Sequence, residues 1–171
     1  MPIAACQEYV KNLLNDLPMP GSYPNLACYI TAPDPNVEAE IPTAYVWPTN
    51  GAEKRDPRNA GTMPRNTGPG TPSGFKTISH SIGIWVVWFG ADDDQDADNA
   101  FPGMVDAIMF ALRTAAPDPA IVTDPYTGEE TMLADTGEEM TYQTNVSAIE
   151  DQRWNRYDAL IKLPITEVIQ A

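Results

Sequence analysis

Histidine and cysteine are scarce in this 171-residue chain, which holds one His and two Cys. His80, Cys6 and Cys28 lie too far apart to share the nitrogen and sulfur ligands of a zinc site. Two cysteines make no disulfide framework and read as small core hydrophobes in a reducing cell. Positive charge is also sparse: 10 Lys and Arg stand against 24 Asp and Glu, a formal net charge of −14. That balance argues against a protein that grips nucleic acid, whose affinity rests on neutralising phosphates. Long apolar runs are missing too. The longest, Ile82 to Phe89, falls well below the about 18 residues of a membrane span, and Met1 to Ala4 predict no secretory leader. Proline, by contrast, is plentiful at 17 residues, about twice the usual share. This excludes a helical bundle and predicts a single domain of short elements with stiff connections.

Apolar spacing predicts a first helix from Ala4 to Leu17, with Cys6, Val10, Leu13, Leu14 and Leu17 in one stripe that ends at Pro18. Strands are expected over Leu26 to Thr31 and Thr43 to Trp47. Residues 48–74 are different: ten of the 27 are Gly or Pro, and Lys54, Arg55, Arg58 and Arg65 are among them. Such a stretch buries too little apolar surface to offset its own ordering entropy. It reads as an arm that orders against a partner.

The longest predicted strand follows, Phe75 to Phe89. Its first half alternates, with Ile78, Ile82 and Ile84 on one face. Its second half is apolar on both faces, from Ile84 to Phe89. Helices can cover one face, and a neighbouring copy is the economical cover for Trp85, Val87 and Phe89 on the other. A second helix is expected over Asn99 to Ala115, capped by Asp98 or Asn99, with Phe101, Val105, Ile108 and Leu112 facing inward. Asp124-Pro125-Tyr126-Thr127-Gly128 signals the tip of a projecting hairpin or loop. Two strands close the chain, Thr141 to Ile149 and Arg156 to Ile169, and Pro164 marks the latter as an edge or bulged strand. The fold class is α+β: a small antiparallel or mixed sheet flanked by two helices, in one domain spanning residues 1–171.

Chemistry is hard to assemble from these residues. His80 has no Gly-x-Ser-x-Gly elbow to serve, so an ordinary structural histidine is the simpler account. Asp92, Asp94, Asp96 and Asp98 fall at positions 1, 3, 5 and 7 of a calcium loop. However, Ala97 stands where that loop needs glycine, and Gly103 where it needs a bidentate glutamate. A solvated turn that caps the helix explains the run better. The stretch from Gly68 to Thr77 lacks the Gly-Lys-Ser/Thr ending of a phosphate loop and precedes a strand. No catalytic residue, cofactor or metal is expected.

Several segments together resemble a known family. They are the strand ending Ile84-Trp85-Val86-Val87-Trp88-Phe89-Gly90, the helix Phe101-Pro102-Gly103-Met104-Val105-Asp106-Ala107-Ile108, the closing strand Arg156 to Ile165, and the Asp124 to Gly128 turn. In element order and length the chain is similar to the tail terminator proteins of long-tailed bacteriophages of the siphovirus type. The resemblance implies a hexameric ring at the head-proximal end of the tail tube. The ring would stop tube polymerisation and join tail to head, with the tail tube protein and the head-side connector or stopper protein as partners. It also implies location in the virion neck after assembly in the host cytoplasm, with genome DNA passing through the lumen. In that setting Trp85, Val87 and Phe89 would form a subunit interface, and Lys54, Arg55, Arg58 and Arg65 an arm touching partners. A head–tail stopper is the alternative within the same class. A small cation-dependent binding module or enzyme using residues 92–98 is the alternative from another.

Overall fold

The computed structural model describes residues 2–21, 23–31, 41–55, 75–91, 95–114, 120–123, 126–128, 130–135, 139–148 and 154–170. Helix α1 (Pro2–Leu14) buries Cys6, Val10 and Leu14 completely. It stops three residues short of the expected Leu17 because Asp16 takes a left-handed conformation (φ 62°), which Asp tolerates better than most residues. The chain then folds back. The Asp16 amide donates to the Leu26 carbonyl, and the Leu26 amide to the Leu17 carbonyl. This clamp feeds a short strand β1 (Ala27–Tyr29), which pairs in parallel with β2 (Thr43–Arg55).

β2 corrects the expected arm. Residues 48–55 are strand, paired antiparallel with β3 (Phe75–Ala91) as far as Arg55 opposite Lys76. A register shift between Pro48 and Asn50 absorbs the proline, which has no amide to give to a ladder. The early half of β3 offers these Gly- and Lys-bearing residues backbone hydrogen bonds, and composition alone does not register such bonds. Lys54 and Arg55 therefore lie in a paired strand. Arg58 and Arg65, with the rest of 56–74, lie outside the described residues.

After β3 comes α2 (Gln95–Thr114), then β4 (Ala120–Thr123), β5 (Glu130–Asp135), β6 (Thr141–Ala148) and β7 (Trp154–Gln170). Strands β4 and β5 are additions to the sequence reading, and Tyr126 to Gly128 lie between them. The seven-stranded sheet runs β1-β2-β3-β7-β5-β4, with β6 also on β7. All pairings except β1–β2 are antiparallel, so the α+β class stands with a mixed sheet.

β3 and β7 pair along their whole lengths, from Phe75–Gln170 to Ala91–Trp154, and form the spine of the sheet. β7 is thus central, neither edge nor bulged as Pro164 had suggested. Its outer side is shared by two strands: β6 ends opposite Lys162 and β5 begins opposite Ile165. Pro164 falls in the gap between them, where no ladder needs its missing amide.

One face of this spine makes the core. Ile82, Ile84, Val86 and Trp88 of β3 lie opposite Leu163, Ile161, Ala159 and Tyr157 of β7, and α1 and α2 pack onto them. α2 adds Phe101, Met104, Val105, Ile108 and Leu112. An aromatic stack of Tyr23, Trp88, Tyr157 and Phe101, with centroids 5.0–5.3 Å apart, closes one end.

Candidate functional site

The other face of the spine carries the odd-numbered residues of β3. Val87 is wholly buried there, packed with Tyr45, Trp85 and Phe89, and Trp85 and Phe89 themselves are half-buried. The sequence reading left Val87 wet; the chain itself covers it. Tyr29, Tyr45 and Trp85 are neighbours in register on β1, β2 and β3. They form a ladder with centroids 6.0 and 5.6 Å apart and rings tilted by 30° and 33°. Arg156 continues it, its guanidinium carbon 5.0 Å from the Trp85 ring centre. Because Arg156 is in register with Phe89, its side chain must run along the sheet past the Val87–Asp158 pair to reach Trp85. Its Nε donates to both carboxylate oxygens of Asp158, at 3.1 and 3.0 Å, which fixes that path.

Two close approaches shape this face. A side chain on Gly83 would place its Cβ 2.7 Å from the Thr49 methyl and 3.0 Å from the Trp47 ring, so only glycine lets those groups lie across the strand. A shallow pocket of about 400 Å³ opens beside Trp85, walled by Gln143, Thr144, Asn145, Asp158 and Leu160.

β6 borders that pocket and is unusual in itself. Tyr142 and Val146 are 55% and 53% exposed, although Ile161 and Tyr157 opposite them on β7 are fully buried. The helices therefore leave β6 uncovered, although α1 reaches β4 and β5 and Leu133 of β5 is buried in the core. Almost every β6 side chain, on both faces, meets solvent. Among the described residues no strand pairs with the outer edge of β6. Its sequence, Thr-Tyr-Gln-Thr-Asn-Val-Ser-Ala, holds no charge and no proline, the usual protections of an edge strand.

The remaining candidates form no catalytic or metal-binding constellation among the described residues. His80 is buried on the helix-side face, beyond Ile82. Ser79 and Ser81 flank it in sequence, and all three residues line an open pocket of about 350 Å³ together with Gly51, Glu139 and Lys162. Of the acidic run, Asp92 and Asp94 lie outside the described residues. α2 begins at Gln95, so Asp96 and Asp98 belong to its first turn. Asp98 accepts a 2.5 Å hydrogen bond from the buried Tyr157 hydroxyl. Among the described residues no three His, Cys, Asp or Glu side chains come close enough to hold a metal ion. Cys6 and Cys28 are buried and not joined in a disulfide, and burial pushes the Cys28 thiol up to about 12, far from a reactive thiolate. No helix among the described residues is long and apolar enough to cross a membrane.

Sequence reasoning placed Trp85 and Phe89 on this face but missed Tyr29, Tyr45, Arg156 and Asp158, which complete it. It also missed the free edge of β6. The one available signal was eight residues without a charge in a strongly acidic chain. No protein-family model matches the chain, and no curated protein matches it.

Proposed function

We propose that this chain is a structural subunit that assembles with copies of itself into the ring closing the head-proximal end of a phage tail. There it would end tube polymerisation, meeting the tail tube protein on one side and the head-side connector on the other, within the virion. The observation that carries the self-assembly part is the unfinished side of the sheet: among the described residues β6 is open along its edge, exposed on both faces and free of charge. An isolated monomer gains nothing from such an edge and risks aggregation. A ring subunit uses it. The half-buried Trp85 and Phe89 add apolar surface beside it.

The phage setting rests on the resemblance in element order, and the head–tail stopper is the neighbouring role in the same assembly. A cation-dependent module using residues 92–98 is the alternative from another class, and there Asp98 is already engaged by the Tyr157 hydroxyl. Negative-stain imaging of the purified chain tests the proposal. Closed rings of uniform diameter are the expected result, and a field of monomers at tens of micromolar would overturn it.

A further inference from the structure

Among the described residues the most exposed large apolar side chain is Tyr126, at 85%. It stands in the turn between the paired strands β4 and β5, where Gly128 takes a left-handed conformation (φ 73°). A single exposed tyrosine is ordinary on a protein surface. The pocket beside Trp85 gives this one a seat. We infer that Tyr126 of one copy enters the pocket beside Trp85 of the next copy. The inference rests on the self-assembly reading above and names one of its contacts.

The pocket crosses two rungs of the sheet on the face away from the helices. Trp85, Leu160 and Gln143 are in register across β3, β7 and β6, and so are Val87, Asp158 and Asn145. At about 400 Å³ it has room for a phenol ring. Its chemistry suits a tyrosine, which is apolar along the ring and polar at the tip. Trp85 and Leu160 offer an apolar bank. The Gln143 and Asn145 amides and the Asp158 carboxylate offer acceptors for the hydroxyl proton. Arg156 Nε holds both Asp158 oxygens, and each oxygen keeps a second lone pair. Tyr45 and Arg156 also pack against Trp85, so the seat is formed before its occupant arrives.

No chain can seat its own Tyr126. β5 meets β7 from Ile165 to Val168, and its Glu130 end leads past Val168 to the tip, whereas the pocket lies at Asp158 and Leu160. The strand between Leu160 and Val168 alone spans roughly 25 Å. Tip and seat are therefore different surfaces at opposite ends of β7. Their contact is head-to-tail, and it closes into a ring when the rotation between copies closes. Charge permits it. Two copies of a chain with net charge −14 repel each other in general, but Tyr126, Thr127 and Gly128 carry no charge. In the seat Asp158 is paired with Arg156, and beyond it Lys162 and Glu139 share the neighbouring pocket. Asp124, Glu129 and Glu130 flank the tip in sequence, and moderate salt screens them.

Cross-linking of two single-site variants with a short bismaleimide tests the contact. Thr127→Cys marks the tip and leaves Tyr126 in place, and Thr144→Cys marks the wall of the seat. Both positions are exposed, and the native Cys6 and Cys28 are buried. A covalent dimer is expected when the two variants are mixed and none when either is treated alone. A dimer from Thr127→Cys alone would mean that the tips meet each other and would overturn the inference. Tyr126→Ala removes a side chain that packs little in its own subunit, so the fold should be kept. It should raise the concentration needed for half-assembly at least about tenfold. Phe110→Gln, at an aromatic 66% exposed on α2, should not change it. If wild type forms rings and Tyr126→Ala forms them equally well, the contact is wrong and the ring reading survives. If wild type forms none at any concentration, both fall.

Discussion

At Gly83 the space, not the backbone, demands glycine. The Trp47 ring and the Thr49 methyl lie where a side chain would be, and the Thr49 hydroxyl is held by its 2.8 Å bond to the Ser81 carbonyl. Gly83→Ala should therefore destabilise the fold by about 1–3 kcal/mol, the usual cost of overpacking. The shift in urea midpoint at constant m-value measures it, and an unchanged midpoint would mean that Trp47 moves away freely. Cys28 gives a second residue-scale prediction. Its folded pKa is raised from the ordinary 9.0 to about 12, chiefly by burial. Above about pH 9 the unfolded thiol ionises and the folded one does not, so stability present below pH 9 is lost as pH climbs toward 12. Cys28→Ala should flatten that part of the stability–pH curve, and thermal melts between pH 8 and 11 would show it. A curve identical to that of wild type would mean that the alkaline loss comes from other groups.

At the scale of elements, the two helices and the long β3 were legible in the sequence because periodicity reports burial directly. The stripe of Cys6, Val10 and Leu14 and that of Phe101, Val105, Ile108 and Leu112 are buried as spaced. What failed were inferences from composition. Gly, Pro and Lys marked residues 48–55 as arm, yet β3 recruits them through backbone bonds that no side chain announces. β4 and β5 are short, and each is bound to a strand far away in sequence or across a turn, so neither carried a pattern long enough to read. Pro164 spoke truly about a missing ladder bond but not about how far the gap extends. Two substitutions in β7 separate the gap from the ladder. Pro164→Ala should change stability by no more than about 0.5 kcal/mol, as at a site with no ladder bond at stake. Ile161→Pro lies in register with Ile84 on one side and Tyr142 on the other. It should cost about 3 kcal/mol or more. Circular dichroism with chemical denaturation distinguishes the two, and a tolerated Ile161→Pro would contradict the central placement of β7.

At the scale of the whole molecule, charge and the open side of the sheet are the features that bear on function, and only charge was plain in the sequence. The interface was half legible. Trp85 and Phe89 stood out as apolar residues on an uncovered face, but the chain uses Tyr45, Phe89 and Arg156 to cover much of that face itself. The edge of β6 became visible only once its pairing partner was known. With 24 acidic against 10 basic residues, a ring of this subunit should let DNA pass without holding it. No mobility shift is expected at micromolar protein in about 50 mM salt, where electrostatic binding is exaggerated. A salt-sensitive shift would contradict the passive ring.

Self-association is the central claim, and the absolute mass in solution tests it most directly. Size-exclusion chromatography with multi-angle light scattering should give a single closed species of about six times the 18.7 kDa subunit mass, unchanged on moderate dilution. A mass of one subunit across the whole accessible concentration range would contradict the account.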